Sequence, residues 1–153
     1  MLNITTIPNP LLRQKSLVIK EPLAQEIQDL LPEMIETMIK KDGVGLAAPQ
    51  IGLNIRLIVV RHKDNDIVMI NPEILKKSLF KEWDEEGCLS VPGVFGQVKR
   101  HKKLTVRYLD GDGKSQQLEA EGFFARVIQH EVDHLNGVLF IDKAKDLREE
   151  TNE

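Results

Sequence analysis

The sequence contains one cysteine, Cys88, so no disulfide can form within the chain. A buried core must therefore stabilise the fold, and 153 residues of which 41% are hydrophobic suffice for one. We predict a single domain covering residues 1–153. A lone cysteine can be buried filler, an intermolecular disulfide, a nucleophile or a metal ligand, and its neighbours must decide between these roles.

Membrane and nucleic-acid functions have little support in the composition. No apolar run approaches the length of a membrane span, and a net charge of −3 gives no basic footprint for DNA. The first eight residues lack the charged-then-apolar pattern of a signal peptide. We therefore expect a cytoplasmic protein that binds neither DNA nor a membrane.

Residues 130–134 form an H-E-x-x-H pattern, which is the part of the sequence with the most chemical content. On a helix, His130 and His134 lie one turn apart on the same face, so both imidazoles can reach one metal ion. Glu131 lies one position round the helix, where its carboxylate can hold a water on that metal and move protons. The pattern predicts a metallohydrolase; the alternative is a charged surface helix with two incidental histidines.

A catalytic zinc-type site usually takes three protein ligands, so a third ligand must come from elsewhere in the chain. The residues after the helix contain no histidine and only a charged tail. Cys88 is the better candidate, because Gly87 beside it allows a backbone or a ligand to approach closely. One thiolate with two imidazoles suits iron or zinc and disfavours magnesium and calcium.

Hydrophobic periodicity predicts the elements around this pattern. Helices are expected over residues 23–38, with a kink or restart at Pro32, and over residues 122–135, ending at Asn136 and Gly137. Strands are expected at residues 55–60, 67–70, 104–109 and 116–120. This order predicts an α+β domain of mostly antiparallel strands, packed around a central C-terminal H-E-x-x-H helix, with an N-terminal helix.

Three motifs resemble, in order and spacing, the signature motifs of peptide deformylases, and the resemblance covers nearly the whole chain. The motifs are Gly43-Val44-Gly45-Leu46-Ala47-Ala48-Pro49-Gln50, Glu86-Gly87-Cys88-Leu89-Ser90 and Gln129-His130-Glu131-Val132-Asp133-His134. The resemblance implies hydrolysis of the N-formyl group from the initiator methionine of nascent polypeptides, with release of formate. It also implies that Cys88, His130 and His134 bind the metal, with water or hydroxide as the fourth ligand.

Further roles follow from the same resemblance. Glu131 is expected to act as general base and then general acid. The side-chain amide of Gln50 and the backbone N–H of Leu89 are expected to stabilise the oxyanion, although a lone Gln50 without its motif reads as a solvated surface residue. An extended peptide is expected to pair with the backbone around Val44 and Gly45 as an added strand.

The remaining substrate contacts are less sharply defined. Gly43, Glu86 and Gly87 are expected at the substrate site. Phe123 and Val127 are candidates for the methionine pocket or for ordinary core positions. Some deformylases carry an arginine shortly after the cysteine motif, where this chain has Gly93-Val94-Phe95-Gly96. By analogy Arg100 is a substitute, and Arg126 is expected either to cover the pocket or to point to solvent.

The resemblance implies one divalent metal ion, Fe²⁺ in the cell, with Zn²⁺, Ni²⁺ or Co²⁺ able to substitute. Affinities rise from iron towards copper, so cellular supply decides which ion is bound. The implied partners are N-formyl-methionyl nascent peptides and the ribosome near its exit tunnel. Residues 142–153 carry five acidic and three basic residues, a poor composition for an RNA-binding helix, so docking through this tail is left open.

Three rival hypotheses remain. A small metallopeptidase would take its third ligand from a histidine or glutamate downstream of the helix, not from Cys88. A structural zinc site would be closed by four protein ligands, and His62 and His101 are the only other histidines. A deformylase-like protein without activity is the third, although all of the expected site residues are present.

Overall fold

Two α-helices and eight strands form the part of the chain that this computed structural model describes, residues 1–150. The helices are α1 (Gln25–Lys40) and α2 (Gly122–Leu135). The strands are β1 (Gly45–Ala47), β2 (Leu57–His62), β3 (Asn65–Lys77), β4 (Lys81–Cys88), β5 (Val91–His101), β6 (Lys103–Leu109), β7 (Ser115–Glu121) and β8 (Lys145–Glu149). These strands pair antiparallel throughout, which confirms the predicted α+β fold. Neither of the two α-helices just named is long and apolar enough to cross a membrane.

The larger sheet has five strands in the order β1-β2-β3-β6-β7 and is apolar on both faces at its centre. Ile58 and Val60 of β2 pack with residues of α2, whereas Leu57 and Val59 pack with residues of α1. Because alternate residues of a strand point to opposite faces, this run of four buried residues places the sheet between the two helices. The predicted strands at residues 55–60, 67–70, 104–109 and 116–120 are confirmed as β2, β3, β6 and β7.

Helix α1 continues through Pro32, where the sequence predicts a kink or a restart. Pro32 is exposed, so water can bind the carbonyl that loses its partner at the missing N–H. The helix therefore spans Gln25–Lys40 without a restart, close to the predicted residues 23–38. On its buried side, Leu31, Met34 and Met38 pack against the larger sheet.

Hydrophobic alternation predicts none of the strands in the smaller sheet, which has the order β4-β5-β8. Strands β4 and β8 consist largely of charged residues, so the sequence resembles a solvated loop and a charged tail. At Gly96 of β5, an added Cβ would lie 2.8 Å from Leu147 Cδ2, so β8 packs closely because residue 96 has no side chain. The expected tail is a strand as far as residue 149, while its Glu153 lies outside the described residues.

Helix α2, which matches its predicted bounds, presents a different stripe of side chains to each sheet. The apolar stripe packs on the larger sheet and consists of Phe124, Ala125, Val127, Ile128, Val132 and Leu135. The polar stripe hydrogen-bonds to β4 and β5 and consists of Arg126, Gln129, His130 and Asp133. Residues three and four apart share a helix face, so one helix joins an apolar layer to a polar one.

Candidate active site

The structure brings together the three predicted metal ligands. Cys88 is the last residue of β4, and His130 and His134 lie one turn apart on α2. The ligand atoms of the three residues all lie within 4.8 Å of one another, with Cys88 Sγ 3.3 Å from His134 Nε2. A single ion at ordinary metal–sulfur and metal–nitrogen distances can bind all three.

The donor set fits a catalytic metal site. Within residues 1–150 the cluster holds three ligand residues, which leaves a coordination position for water or substrate. His62 stacks on Phe124 at 4.0 Å between ring centroids, and His101 Nδ1 lies 2.6 Å from the Ser78 carbonyl. Neither histidine joins the cluster, so the closed four-ligand site of the structural-zinc hypothesis has no support in this geometry.

Glu131 lies beside the cluster with one oxygen free. Its side chain is buried, and among the described residues its Oε1 has no hydrogen-bond partner. An added Cβ at Gly45 would lie 2.5 Å from Glu131 Oε2, so only glycine leaves room for this carboxylate. Burial raises the pKa of the Glu131 carboxyl to about 7, although the charge of His130 lowers it. A carboxyl that titrates near neutral pH suits both the base and the acid role.

Gln50 is buried, so the alternative of a solvated surface glutamine is wrong. The N–H of Ala47 donates to Gln50 Oε1 at 2.9 Å, which fixes the orientation of the amide. Gln50 Nε2 then donates to Ser90 Oγ at 3.2 Å and to Cys88 Sγ at 3.5 Å. The amide N–H groups therefore face the metal cluster.

His130 also contacts the buried carboxylate of Glu86, through the ring nitrogen Nδ1. From the sequence, Glu86 is expected only at the substrate site. His130 Nδ1–H donates to Glu86 Oε1 at 2.8 Å, which directs Nε2 to the cluster. Arg100 donates to both Glu86 oxygens at 2.9 Å, and Arg126 donates to Oε2 at 2.7 Å. Arg100 also binds Asp133 at 2.5 Å. We call Glu86, Arg100, Arg126 and Asp133 the buried ion cage.

The ion cage keeps both Glu86 and His130 charged as long as no metal ion competes for the imidazole. Burial opposes ionisation of Glu86, but hydrogen bonds from Arg100 and His130 outweigh it and lower the pKa of this carboxyl far below its ordinary value. Burial also opposes a charged His130, but hydrogen bonds to Cys88 and Glu86 raise the pKa of His130 to about 10. Burial lowers the pKa of His134 well below its ordinary value. A divalent ion would compete with the proton for the ligand nitrogens, so metal binding depends on pH.

Known proteins resemble this chain both in sequence and in fold. The family model described as polypeptide deformylase matches residues 1–150. The chain belongs to the polypeptide deformylase family. The peptide deformylase of Desulforudis audaxviator is 49% identical over 142 residues, 92% of each chain. A crystal structure of the Thermotoga maritima peptide deformylase superposes with a TM-score of 0.92 at 41% identity, covering 95% of this chain and 98% of that one. The Synechococcus elongatus peptide deformylase, in complex with actinonin, gives 0.91 at 41% identity, covering 95% and 79%.

A cavity of about 560 Å³ opens beside the deformylase cluster, a size typical of small-ligand sites. Every residue predicted for substrate binding lines it: Gly43, Val44, Gly45, Glu86, Gly87, Phe123 and Val127. Phe123 is 62% exposed, so it is not an ordinary core residue, whereas Val127 lines the cavity and also packs in the core. Gln50 and Leu89 line the cavity together with Cys88. Their contacts with substrate stay predictions.

Three residues around the deformylase site have contacts that the sequence does not predict. Phe95 lines the cavity and packs so tightly on Gly87 that an added Cβ there would lie 2.6 Å from its ring. Arg126 is buried and lines the cavity, so of its two expected placements the one in solvent is wrong. Arg100 is also buried and binds two carboxylates, which makes it part of the ion cage. The one available signal was the unusual density of charge in Glu85-Glu86, close to the cysteine.

Proposed function

We propose that this chain removes the N-formyl group from the N-terminal methionine of newly synthesised polypeptides and releases formate. The observation that supports it most directly is the three-ligand cluster of Cys88, His130 and His134, of which Cys88 and His130 line a cavity. Glu131 lines the same cavity, and its Oε1 has no hydrogen-bond partner within residues 1–150. Membership of the deformylase family makes the chain an enzyme of this class. No comparable support exists for the metallopeptidase, because the third ligand is a cysteine upstream of the helix.

The cofactor of this proposal is one divalent ion, Fe²⁺ in the cell, with Zn²⁺, Ni²⁺ or Co²⁺ able to replace it. A thiolate and two imidazoles are the donor set that such ions prefer. When bound, the ion polarises the formyl oxygen and lowers the pKa of an attacking water towards roughly 7. The residues of the chain supply the remaining steps.

Glu131 takes the proton of the attacking water and later gives it to the departing amine. Its free Oε1 and its pKa near 7 support both transfers. The N–H groups of Gln50 and the backbone N–H of Leu89 donate to the negative charge that grows on the formyl oxygen. One such preorganised donor contributes roughly 10²–10³-fold in turnover.

The peptide binds between two sheet edges in this proposal. Strand β1 pairs only with β2 and β4 only with β5 among the eight strands described, and residues of both line the cavity. An extended peptide can therefore add to β1 through backbone hydrogen bonds near Val44 and Gly45. Phe123 and Val127 are apolar residues that line the cavity, and the methionine side chain is placed against them.

The proposed partners are N-formyl-methionyl nascent chains, in the cytoplasm near the ribosomal exit tunnel. Residues 145–149 are bound into the smaller sheet as β8, so this part of the tail is not a free helix. A free helix of these residues therefore does not serve as the ribosome contact.

The test is formate release from formyl-Met-Ala-Ser by protein prepared anaerobically with iron or with nickel. We expect release by both forms and its loss in Cys88→Ala, which removes one of three ligands. No release by protein with a full complement of metal would sink the deformylase proposal. Release that survives in Cys88→Ala would instead remove Cys88 from the ligand set.

A further inference from the structure

Arg126 is a buried charged residue with no task in the proposed reaction. Only 6% of it is exposed, although it lines the cavity wall. Its Nη1 donates to Glu86 Oε2 at 2.7 Å and to the Val98 carbonyl at 2.8 Å, and its Nη2 donates to the Glu82 carbonyl at 2.7 Å. Burying a charge costs several kcal/mol unless its partners compensate, so these contacts define one fixed position for the guanidinium.

Each oxygen of the Glu86 carboxylate accepts two hydrogen bonds. Oε1 accepts from Arg100 and from His130, and Oε2 accepts from Arg100 and from Arg126. Arg100 donates to both oxygens, whereas His130 donates only to Oε1 and Arg126 only to Oε2. Arg126 therefore balances the contact that His130 makes, and without it one side of the carboxylate would lose a charged donor.

The same arrangement connects the two elements that carry the metal ligands. Arg126 and His130 are four residues apart on α2, so both reach across from one helix face. Glu86 lies on β4 two residues before Cys88, so one short segment of strand carries both the carboxylate and the thiol ligand. Any shift of Glu86 relative to α2 thus changes the spacing between the Cys88 and His130 ligand atoms.

We propose that Arg126 is a positioning residue for the metal centre. It acts through Glu86, which it holds against Nδ1 of His130, and so keeps Nε2 of His130 directed at the ion and at the right distance from Cys88. The inference rests on the proposed metal site. Partners that orient a ligand histidine in this way typically contribute 10–100-fold to metal affinity or activity.

Two substitutions test the role. Arg126→Met removes the charge and all three hydrogen bonds, and Arg126→Lys keeps the charge but cannot reach three acceptors at once. Arg56→Met is the matched control, because Arg56 binds the Leu135 carbonyl at the end of the same helix and makes no contact with the ion cage. Each protein is loaded with Co²⁺ or Ni²⁺, and the loss of metal to a chelator is timed without substrate.

We expect Arg126→Met to release metal about tenfold faster or more, with an altered absorption spectrum of the Co²⁺ form. Arg126→Lys should lie between this variant and the wild type, and Arg56→Met should release metal at the wild-type rate. Turnover should fall in kcat, with KM nearly unchanged. A raised KM with unchanged metal release would make Arg126 a substrate contact and overturn the proposal, as would a lower melting temperature alone.

If Arg126→Met does not fold, Arg126→Lys decides by the same measurements. Because metal release needs no substrate, a chain that fails to deformylate but loses metal faster in these variants would refute the proposed function and leave this inference standing.

Discussion

The two sheets beside helix α2 are stabilised by different interactions. The larger sheet packs apolar side chains such as Ile58 and Val60 on the apolar stripe of the helix. The smaller sheet binds the opposite stripe through hydrogen bonds and ion pairs, including Gln129, which pairs with both backbone groups of His101 at 3.0 and 2.8 Å. Apolar contacts are individually replaceable, whereas each buried charge depends on particular partners. The metal ligands lie where the two kinds of packing meet.

The largest expected effect separates chemistry from both kinds of packing. Glu131→Gln removes the proton carrier but keeps the side-chain size and all three metal ligands. We expect turnover to fall by roughly 10²–10⁴-fold, with metal content and the free energy of unfolding nearly unchanged. Formate release, metal analysis and urea denaturation measure the three quantities. Retention of wild-type turnover would remove Glu131 from the proton-transfer role.

The next prediction concerns the polar side of α2. Glu86→Ala leaves Arg126 buried without a carboxylate and takes the partner from His130. Removing one member of a buried ion pair typically lowers the free energy of unfolding by about 3–5 kcal/mol. Guanidinium denaturation checks this, and metal analysis should show weaker binding.

Glu85→Ala is the control for Glu86→Ala, because Glu85 is the next residue of β4 but its side chain is 43% exposed in its pair with Arg148. We expect Glu85→Ala to lower the free energy of unfolding by less than about 1 kcal/mol. Equal losses from the two variants would contradict the contrast between buried and exposed charge.

The same contrast explains what the sequence can predict. The strands β2, β3, β6 and β7 and the ligand pair on α2 follow from periodicity, because apolar alternation and histidine spacing are local patterns. The ion cage is not predictable in this way. Glu86, Arg100 and Arg126 are charged residues that usually lie on the surface, and only their mutual contacts make burial acceptable. Strand β8 is missed for the same reason, since its packing depends on Gly96 of β5 and not on its own residues.

A third prediction tests the close packing of β8. Gly96→Ala places a methyl group 2.8 Å from Leu147 Cδ2 and 2.9 Å from Ala144 Cβ, so the Leu147 side chain and the backbone at Ala144 must move. Overpacking of this kind typically lowers the free energy of unfolding by 1–3 kcal/mol, roughly. We also expect KM to rise, because Phe95 beside it lines the cavity. Gly111→Ala is the control, since its nearest neighbour would be Leu31 Cδ1 at 3.5 Å. If Gly96→Ala changes neither the free energy of unfolding nor KM, the close packing of β8 contributes little to stability or to the cavity.

On the apolar side of α2, removal of one methyl group should lower the free energy of unfolding only slightly and should leave the metal site unchanged. Ile58→Val removes one buried methyl group from the contact between β2 and α2. We expect a loss of about 0.5–1.5 kcal/mol in the free energy of unfolding, with kcat, KM and metal release unchanged. Denaturation and the formate assay measure these. A marked change in metal release would mean that the apolar stripe also positions the ligands, and the contrast between the two sides would fail.

The smallest effect should come from an ion pair on the surface. Asp142 accepts from Arg13 Nη1 at 2.5 Å and from the Leu139 N–H at 2.9 Å, and 38% of its side chain is exposed. Partial burial opposes ionisation, but the hydrogen bond from Arg13 outweighs it and lowers the pKa of Asp142. The pair therefore stabilises the fold above the unfolded-state pKa of roughly 3.9, and this contribution is lost as the pH falls through the folded pKa. Asp142→Asn should lower the free energy of unfolding by less than about 1 kcal/mol at pH 7, and the difference from wild type should shrink on acidification. Urea denaturation at pH 7 and pH 3 measures both values. A loss as large as that of Glu86→Ala would show that burial is not what distinguishes the two carboxylates.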